Sequence, residues 1–152
     1  MDEADLLFQL DGDADVMKYI TLGIPRTLDE VIEKSMPRIL KSYQDKTDFG
    51  IFAAYLINSE KYIGWFQFEE DKEFEHSIEI GWRLKKQYWG NGYATEVATV
   101  LCDLGIKMGK TIVARAMIEN LASIRVMEKA GLKFEKKFWY PDSSSPDVLY
   151  KR

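Results

Sequence analysis

Two glycines, Gly90 and Gly92, lie two residues apart where a strand-like pattern gives way to a helical one. Glycine adopts positive φ and lacks the Cβ that would block a close-lying group. The first N–H groups of a helix have no intrahelical acceptor, and the helix dipole adds partial positive charge there. A loop of this kind can bind a phosphate or pyrophosphate through its backbone donors. A tight strand-to-helix connection without a ligand also explains two such glycines, because short glycine motifs occur in many loops.

Composition limits the other chemistry that the chain can perform. It has 152 residues, a formal net charge of −4 and a single cysteine, Cys102. One cysteine excludes an internal disulfide framework and a cysteine-rich zinc site, and its apolar helical surroundings favour a buried, inert thiol. The acidic balance argues against a general nucleic-acid-binding protein. No carboxylate pair or metal cluster has convincing spacing, so we expect no metal site.

The length is that of one domain, residues 1–152. The sequence begins without the basic and apolar segments of a signal peptide, and no run approaches the roughly 18 apolar residues of a membrane span. We therefore expect a cytoplasmic protein that does not bind membranes.

Helical patterns dominate the first third of the chain. Short ones cover residues 2–10 and 14–20. Thr27 and Glu30 have the spacing of a capping box ahead of an apolar stripe that runs to Tyr43. Pro37 lies within that stripe and predicts a kink or a restart of the helix.

Strands and two further helices make up the remainder. The glycine loop, defined as residues 87–92, leads into a helix that ends near Gly109. A second helix is predicted from Asn120, its N-cap, to Lys129, with Gly131 ending it. Strands are predicted over residues 49–57, 62–68, 77–84, 111–118, 133–140 and 147–150. The first three suggest an antiparallel meander, and the fourth follows a helix and is a candidate for parallel pairing. The fold class is α+β, with one mixed, mostly antiparallel sheet flanked by helices.

In this order the segments resemble the GNAT superfamily of acyl-CoA-dependent N-acyltransferases, and within it the branch of ribosomal-protein N-terminal acetyltransferases. Residues 78–84 (I-E-I-G-W-R-L) are similar to the family's central strand, and residues 87–96 (Q-Y-W-G-N-G-Y-A-T-E) to its pyrophosphate loop. Residues 120–134, with Asn120, Ser123 and Gly131 in register, are similar to its second cofactor helix. The segment D-V-M-K-Y-I at residues 15–20 also fits that branch.

The resemblance implies acetyl-CoA as the cofactor. Its pantetheine arm would lie along the central strand, where a backbone N–H would also polarise the thioester carbonyl. Its pyrophosphate would lie on the N–H groups from Gln87 through Ala94. The side chains of Arg83, Lys85 and Lys86 would add positive charge there, unless they form a solvated basic run. The residues implied in cofactor binding are Trp82, Arg83, Leu84, Gln87, Tyr88, Trp89, Gly90, Asn91, Gly92, Tyr93, Ala94, Thr95, Asn120, Ser123 and Lys129.

Two residues are the candidates for catalysis. Glu79, on the central strand, is the first choice for the base that takes a proton from the attacking amine, although a structural carboxylate explains it equally well. His76, at the start of that strand, and a relay through water are the alternatives. Ser123 would donate a hydrogen bond to the sulfur of the departing thiolate, unless it is a helix-face serine bonded to the backbone. Asn120, besides capping its helix, would reach the pantetheine arm.

The chain departs from the family pattern in two places. Helix-like sequence begins directly after Met1, so we expect the family's usual first edge strand to be absent. A second copy of the chain, forming a homodimer, is a hypothesis for what covers the exposed edge. Many GNAT enzymes protonate the thiolate with a tyrosine, and the matching position here is Met127, which puts that route in doubt.

We therefore predict an N-acetyltransferase that moves an acetyl group from acetyl-CoA directly to a primary amine. No residue resembles an acyl-carrying nucleophile, so transfer would occur in a ternary complex. The acceptor is a protein N-terminal α-amine or a small amine such as a polyamine, an amino acid or an aminoglycoside. The alternative is a catalytically inactive acyl-CoA-binding module. A nucleotide-binding domain is disfavoured, because the loop lacks the Lys-Ser/Thr ending of a P-loop.

Overall fold

The described chain begins with helices, continues with three successive strands, and then alternates helices and strands before it ends on a strand. The structure is a computed structural model and describes residues 3–43, 48–141 and 143–152. The helices are α1 (Glu3–Asp11), α2 (Leu28–Glu30), α3 (Met36–Ser42), α4 (Tyr93–Lys107) and α5 (Leu121–Lys129), with a π-helical turn at Val31–Ser35 and a 3₁₀ turn at Lys86–Tyr88. The strands are β1 (Gly50–Tyr55), β2 (Tyr62–Glu70), β3 (Ser77–Leu84), β4 (Thr111–Met117), β5 (Lys133–Phe138) and β6 (Asp147–Lys151).

The described strands form one six-stranded sheet in the order β1-β2-β3-β4-β6-β5. β3 and β4 are parallel, whereas β6 lies antiparallel to both β4 and β5. A mixed, mostly antiparallel sheet with helices confirms the predicted α+β class. Ahead of β1 the described residues form helices and turns and no strand.

The chain divides into two compact units, Met1–Gln67 with Trp82–Asn91 and Phe68–Gly81 with Gly92–Arg152. Both units contain fully buried apolar side chains, because each has apolar residues on one face of its helices and strands. Those of the first unit are Leu10, Met17, Val31 and Ile51, and those of the second are Phe68, Ile78, Ile80, Ala98, Ile112, Val113, Met127 and Leu149.

The helical stripe after Thr27 forms in pieces. Thr27 and Glu30 make the predicted capping box, in which each side chain accepts a hydrogen bond from the other residue's N–H, at 3.2 and 3.1 Å. Pro37 lies in the first turn of α3, directly after the π-helical turn, so the helical run changes from π to α geometry next to the proline.

The helix predicted over residues 14–20 is wrong, since this segment forms successive turns. The Asp13 carboxylate accepts hydrogen bonds from the N–H groups of Asp15 and Val16, and a side chain that binds the backbone in this way competes with helical pairing. The carbonyl of Met17 then accepts from three later N–H groups, which bends the chain back.

In the second unit, α4 and α5 pack against β4 and against each other. Gly109 (φ +74°) follows α4 and Gly131 (φ +87°) follows α5, which confirms both predicted ends. Cys102 lies fully buried on the inner face of α4, and burial raises the pKa of its thiol. Its burial is as the sequence predicts, and an inert thiol is what such burial favours.

Candidate active site

The pairing of β3 with β4 stops early. Within the described residues their parallel ladder consists of Ser77–Glu79 opposite Thr111–Val113. Both strands continue past it, β3 to Leu84 and β4 to Met117. Ile80 and Gly81 therefore extend β3 without a ladder partner on β4. Backbone groups at such an edge can hydrogen-bond an extended ligand that lies along the strand.

In the first unit, the strand end and the glycine loop are fixed by hydrogen bonds of their own. The indole Nε1 of Trp89 donates to the carbonyl oxygen of Leu84 at 2.7 Å, and the Asn91 amide donates to the carbonyl of Trp89 at 3.0 Å. The N–H groups of Tyr88 and Trp89 donate to the carbonyls of Lys85 and Lys86. These two N–H groups, predicted to hold pyrophosphate, are therefore already used in the 3₁₀ turn that also contains Gln87.

In the second unit, α4 begins with free donors. Gly92, its N-cap, has φ +83°, and the first N–H of this region that donates inside the helix is that of Glu96, to the carbonyl of Gly92 at 2.9 Å. The N–H groups of Tyr93, Ala94 and Thr95 thus have no intrahelical acceptor. A Cβ built on Gly92 would meet no protein atom within 4 Å. Positive φ, open space above the backbone and helix-end donors are what an anion requires.

Gly90 shares these backbone properties. Its φ is +75°, and a Cβ built on it would likewise meet nothing within 4 Å. Packing of the protein therefore does not require glycine at either position, whereas the left-handed backbone conformation favours it at both.

The three cationic side chains next to the loop bind carboxylate and amide groups of the first unit. The guanidinium of Arg83 pairs with Asp11, a fully buried carboxylate. Lys85 donates to the side-chain oxygen of Gln9 at 2.6 Å, and Lys86 pairs with Asp15 at 2.6 Å. The three side chains, predicted either to add charge beside the pyrophosphate or to form a solvated basic run, thus make contacts within the first unit.

Asp11 is the centre of a buried network in this unit. Besides Arg83 it accepts hydrogen bonds from Ser35 at 2.9 Å and from Arg26 at 3.3 Å. Burial lowers the pKa of Arg83, and the charge and hydrogen bond of Asp11 act in the opposite direction. The Arg83 guanidinium also lies over the ring of Trp65, 5.0 Å from its centroid. Sequence reasoning is wrong about Asp11, because an aspartate in an acidic segment indicates a solvated side chain, whereas this one is 1% exposed.

Asn120 is the N-cap of α5, as predicted. Its Oδ1 accepts a hydrogen bond from the N–H of Ser123 at 3.2 Å, which leaves the Nδ2 donors for another partner. Ser123 is half-buried, and among the described residues its hydroxyl has no hydrogen-bond partner that would fix it to the backbone. Lys129 lies exposed in the last turn of this helix. Met127 is 1% exposed and belongs to the core, so it cannot replace a tyrosine acid.

Glu79 lies in the second unit, half-exposed near the middle of β3, between the buried Ile78 and Ile80. Its Oε1 accepts a hydrogen bond from Arg115 of β4 at 3.0 Å. The same guanidinium binds Asp71 at 2.5 Å and Glu73 at 3.2 Å. We call these four side chains the Arg115 cluster. Sequence reasoning missed it, although a single cation in the apolar run T-I-V-A-R-A-M indicates a buried ionic partner.

The other candidates have ordinary structural positions. His76 is exposed at the β2–β3 connection, with φ +59°, and its carbonyl accepts the N–H of Thr111. Of the strand and loop aromatic residues, Phe66 and Phe68 are buried in the core, whereas Trp139 is 60% exposed. Trp82 is half-buried at the end of β3.

Comparison with known proteins identifies the family. Residues 1–133 match the acetyltransferase (GNAT) domain. "Uncharacterized N-acetyltransferase YnaD" of Bacillus subtilis (strain 168) is 32% identical over 135 residues, which cover 87% of this chain and 74% of that protein. The chain therefore belongs to the GNAT acetyltransferase family and is an N-acetyltransferase.

Two solved structures share the fold. The acetyltransferase (GNAT family) from Bacillus anthracis superimposes with a TM-score of 0.80 at 28% identity, over 99% of this chain and 88% of that one. RimL, a ribosomal L7/L12 alpha-N-protein acetyltransferase in complex with coenzyme A, gives a TM-score of 0.76 at 15% identity, over 98% of this chain and 86% of that one. At this identity the second likeness shows the fold alone, so the resemblance to the ribosomal-protein branch stays a prediction.

None of the helices in the described residues combines the length and the apolar character that crossing a membrane requires. In the same residues no group of three or more His, Cys, Asp or Glu side chains is arranged to hold a metal ion.

Proposed function

We propose that this chain binds acetyl-CoA along β3 and the start of α4 and transfers the acetyl group directly to a primary amine. Members of the GNAT family use acetyl-CoA, and the residues present here fit it. The observation that carries the proposal is the start of α4, where Gly92 has positive φ and three following N–H groups lack an intrahelical acceptor. Such donors, together with the helix dipole, suit a pyrophosphate.

Most of the predicted cofactor residues have a role in this proposal, whereas Gln87, Tyr88 and Trp89 belong to the 3₁₀ turn and its end and have none. The N–H groups of Gly92, Tyr93, Ala94 and Thr95 bind the pyrophosphate, and those of Gly90 and Asn91 extend the same loop. The backbone of β3 past Glu79 binds the pantetheine arm as an added strand would. The Nδ2 of Asn120 is a further donor to that arm. The exposed ammonium of Lys129 is a candidate partner for the outer phosphates.

The reaction requires an oriented amine that has lost a proton, and relief of charge on the tetrahedral intermediate and the thiolate. Glu79 accepts the proton of the attacking amine, directly or through a water molecule. A backbone N–H of β3 donates to the oxyanion while the C–N bond forms. The Ser123 hydroxyl then donates to the sulfur as the C–S bond breaks. Orientation of the two substrates supplies a large share of the rate, on the order of 7–11 kcal/mol.

Charge near Glu79 favours a cationic acceptor. The Arg115 cluster contains three carboxylates and one guanidinium, so it is negative overall. A protonated amine is attracted to such a surface before it loses its proton. Both acceptor classes, a polypeptide N-terminus and a small polyamine or aminoglycoside, meet this requirement.

The test is amine-dependent release of CoA. Purified protein and acetyl-CoA are incubated with spermidine, kanamycin, single amino acids and short peptides with a free N-terminus, and free thiol is measured over time. We expect at least one acceptor to raise the release rate above the rate of hydrolysis without amine. Glu79→Gln should lower kcat by about 100-fold or more and leave the Kd for acetyl-CoA unchanged.

The inactive-module alternative predicts a different result. Such a protein would bind acetyl-CoA without releasing CoA for any amine in the panel. Failure of the folded protein to bind acetyl-CoA at all would contradict both ideas.

A further inference from the structure

Arg115 is held more firmly than a surface cation. Its side chain is 10% exposed, and its guanidinium lies 5.8 Å from the ring centroid of Phe74. Asp71, which is 1% exposed, binds Nη1 at 2.5 Å. Asp71 is itself fixed, because its other oxygen accepts the N–H groups of Glu73 at 2.8 Å and Phe74 at 2.7 Å. The guanidinium therefore has a defined position between the β2–β3 connection and β4.

From that position Arg115 also binds Glu79. The Nη1 that contacts Asp71 also donates to Glu79 Oε1 at 3.0 Å, while Nη2 donates to Glu73 at 3.2 Å. A guanidinium donates in fixed directions, so a carboxylate bound to it is oriented as well as charge-balanced. Fixing one oxygen of Glu79 restricts the plane of its carboxylate relative to β3.

We infer that Arg115 is a positioning residue for acetyl transfer: anchored by Asp71, it holds the Glu79 carboxylate in the orientation that accepts the amine proton. This inference rests on the proposed function, in which Glu79 is the base. It differs from a purely structural ion pair in one respect. The catalytic effect of Arg115 passes through Glu79, so it disappears when Glu79 can no longer act as a base.

A double-mutant cycle tests that property. Arg115→Met, Glu79→Gln and the double variant are compared for kcat, for the Kd of acetyl-CoA and for the free energy of unfolding. Arg115→Met alone is expected to lower kcat by about tenfold or more, since a misplaced base loses much of its contribution. In the Glu79→Gln background the same change should alter kcat by less than about twofold, a deviation from additivity that marks coupled residues.

Two control variants distinguish an effect on the orientation of Glu79 from an effect on the stability of the protein. Lys133→Met removes one cation from the exposed start of β5, a lysine that forms no ion pair with the described residues, and should leave kcat unchanged. Arg115→Lys keeps the charge but not the fork of donors, so it should fold well and recover only part of the lost kcat. This variant decides the matter if Arg115→Met is too unstable to measure.

The outcomes are distinct. A loss of kcat that persists undiminished in the Glu79→Gln background, or full activity in Arg115→Lys and Arg115→Met, overturns the positioning role alone. A wild-type protein that transfers acetyl to no amine overturns the proposed function and this inference together. Coupled losses, with an unchanged Kd for acetyl-CoA, support the inference.

Discussion

Gly92 and Gly109 lie just outside the two ends of α4 and provide a matched test of the pyrophosphate site. Their φ angles are +83° and +74°, and a Cβ built on either glycine meets no protein atom within 4 Å. Alanine at either position therefore causes backbone strain without a clash. A left-handed non-glycine residue costs about 1–2 kcal/mol, so both variants should fold, with similarly lowered free energies of unfolding.

Only Gly92→Ala is expected to weaken the binding of acetyl-CoA. Its new methyl group would project from the N-cap of α4, beside the N–H groups proposed to bind pyrophosphate. If the methyl group keeps the pyrophosphate from one of these N–H groups, the Kd for acetyl-CoA should rise at least tenfold. This corresponds to a loss of about 1.4 kcal/mol of binding free energy. Gly109 follows the other end of this 15-residue helix. That end lies roughly 22 Å from the first at 1.5 Å per residue, so Gly109→Ala should bind acetyl-CoA as the wild type does.

Titration calorimetry with acetyl-CoA measures the affinity of each variant, and urea unfolding measures its stability. Comparable stability losses combined with a selective loss of affinity in Gly92→Ala would support the site. The reasoning would be refuted if both variants lost affinity equally, or if Gly92→Ala bound acetyl-CoA with the wild-type Kd.

Three further predictions concern the buried side chains of Asp11, Cys102 and Asp71. Asp11→Ala should lower the free energy of unfolding by about 3–5 kcal/mol, because it leaves the buried guanidinium of Arg83 without its counter-charge. Asp15→Ala, which breaks an exposed ion pair, is the control and should leave the urea midpoint nearly unchanged. Equal effects of the two substitutions would contradict this prediction. The Cys102 thiol, whose pKa is raised by burial, should react with a disulfide reagent only after unfolding. Burial opposes ionisation of Asp71, but hydrogen bonds from Arg115 and two backbone N–H groups outweigh it and lower the pKa of this carboxyl from its ordinary value. The resulting stability is fully present above the ordinary pKa and is lost as the pH falls through the lowered pKa, so urea unfolding from about pH 6 to 3 should show a steeper acid loss for wild type than for Asp71→Asn.

Local signals explain the parts of the structure that the sequence predicts well. β3 was expected over residues 77–84 and forms at Ser77–Leu84, because its apolar residues alternate with the strand period. Asn120 and Gly131 bound α5 as expected, since an N-cap and a left-handed C′ residue act on neighbouring backbone groups. The parallel direction of β4 follows from the intervening helix.

Contacts distant in sequence explain what was missed. Arg83 and Asp11 are 72 residues apart, and Arg115 and Glu79 are 36 apart. Residue type and periodicity place each of these side chains on an element but do not identify its ionic partner. For that reason the sequence suggests the Arg83 side chain as a source of charge beside the pyrophosphate and does not reveal its pairing with Asp11. It likewise suggests Glu79 as the base and does not reveal the arginine that binds it.

The central claim is direct transfer of an acetyl group from acetyl-CoA to a primary amine. Mass spectrometry of the reaction with trideuteroacetyl-CoA and the best amine of the panel tests it most directly, because the mass of the acceptor and of the intact protein are read in one sample. We predict an acceptor that carries one labelled acetyl group and a protein of unchanged mass. An acetylated protein intermediate, or unlabelled acceptors in the presence of folded protein with bound acetyl-CoA, would contradict the account.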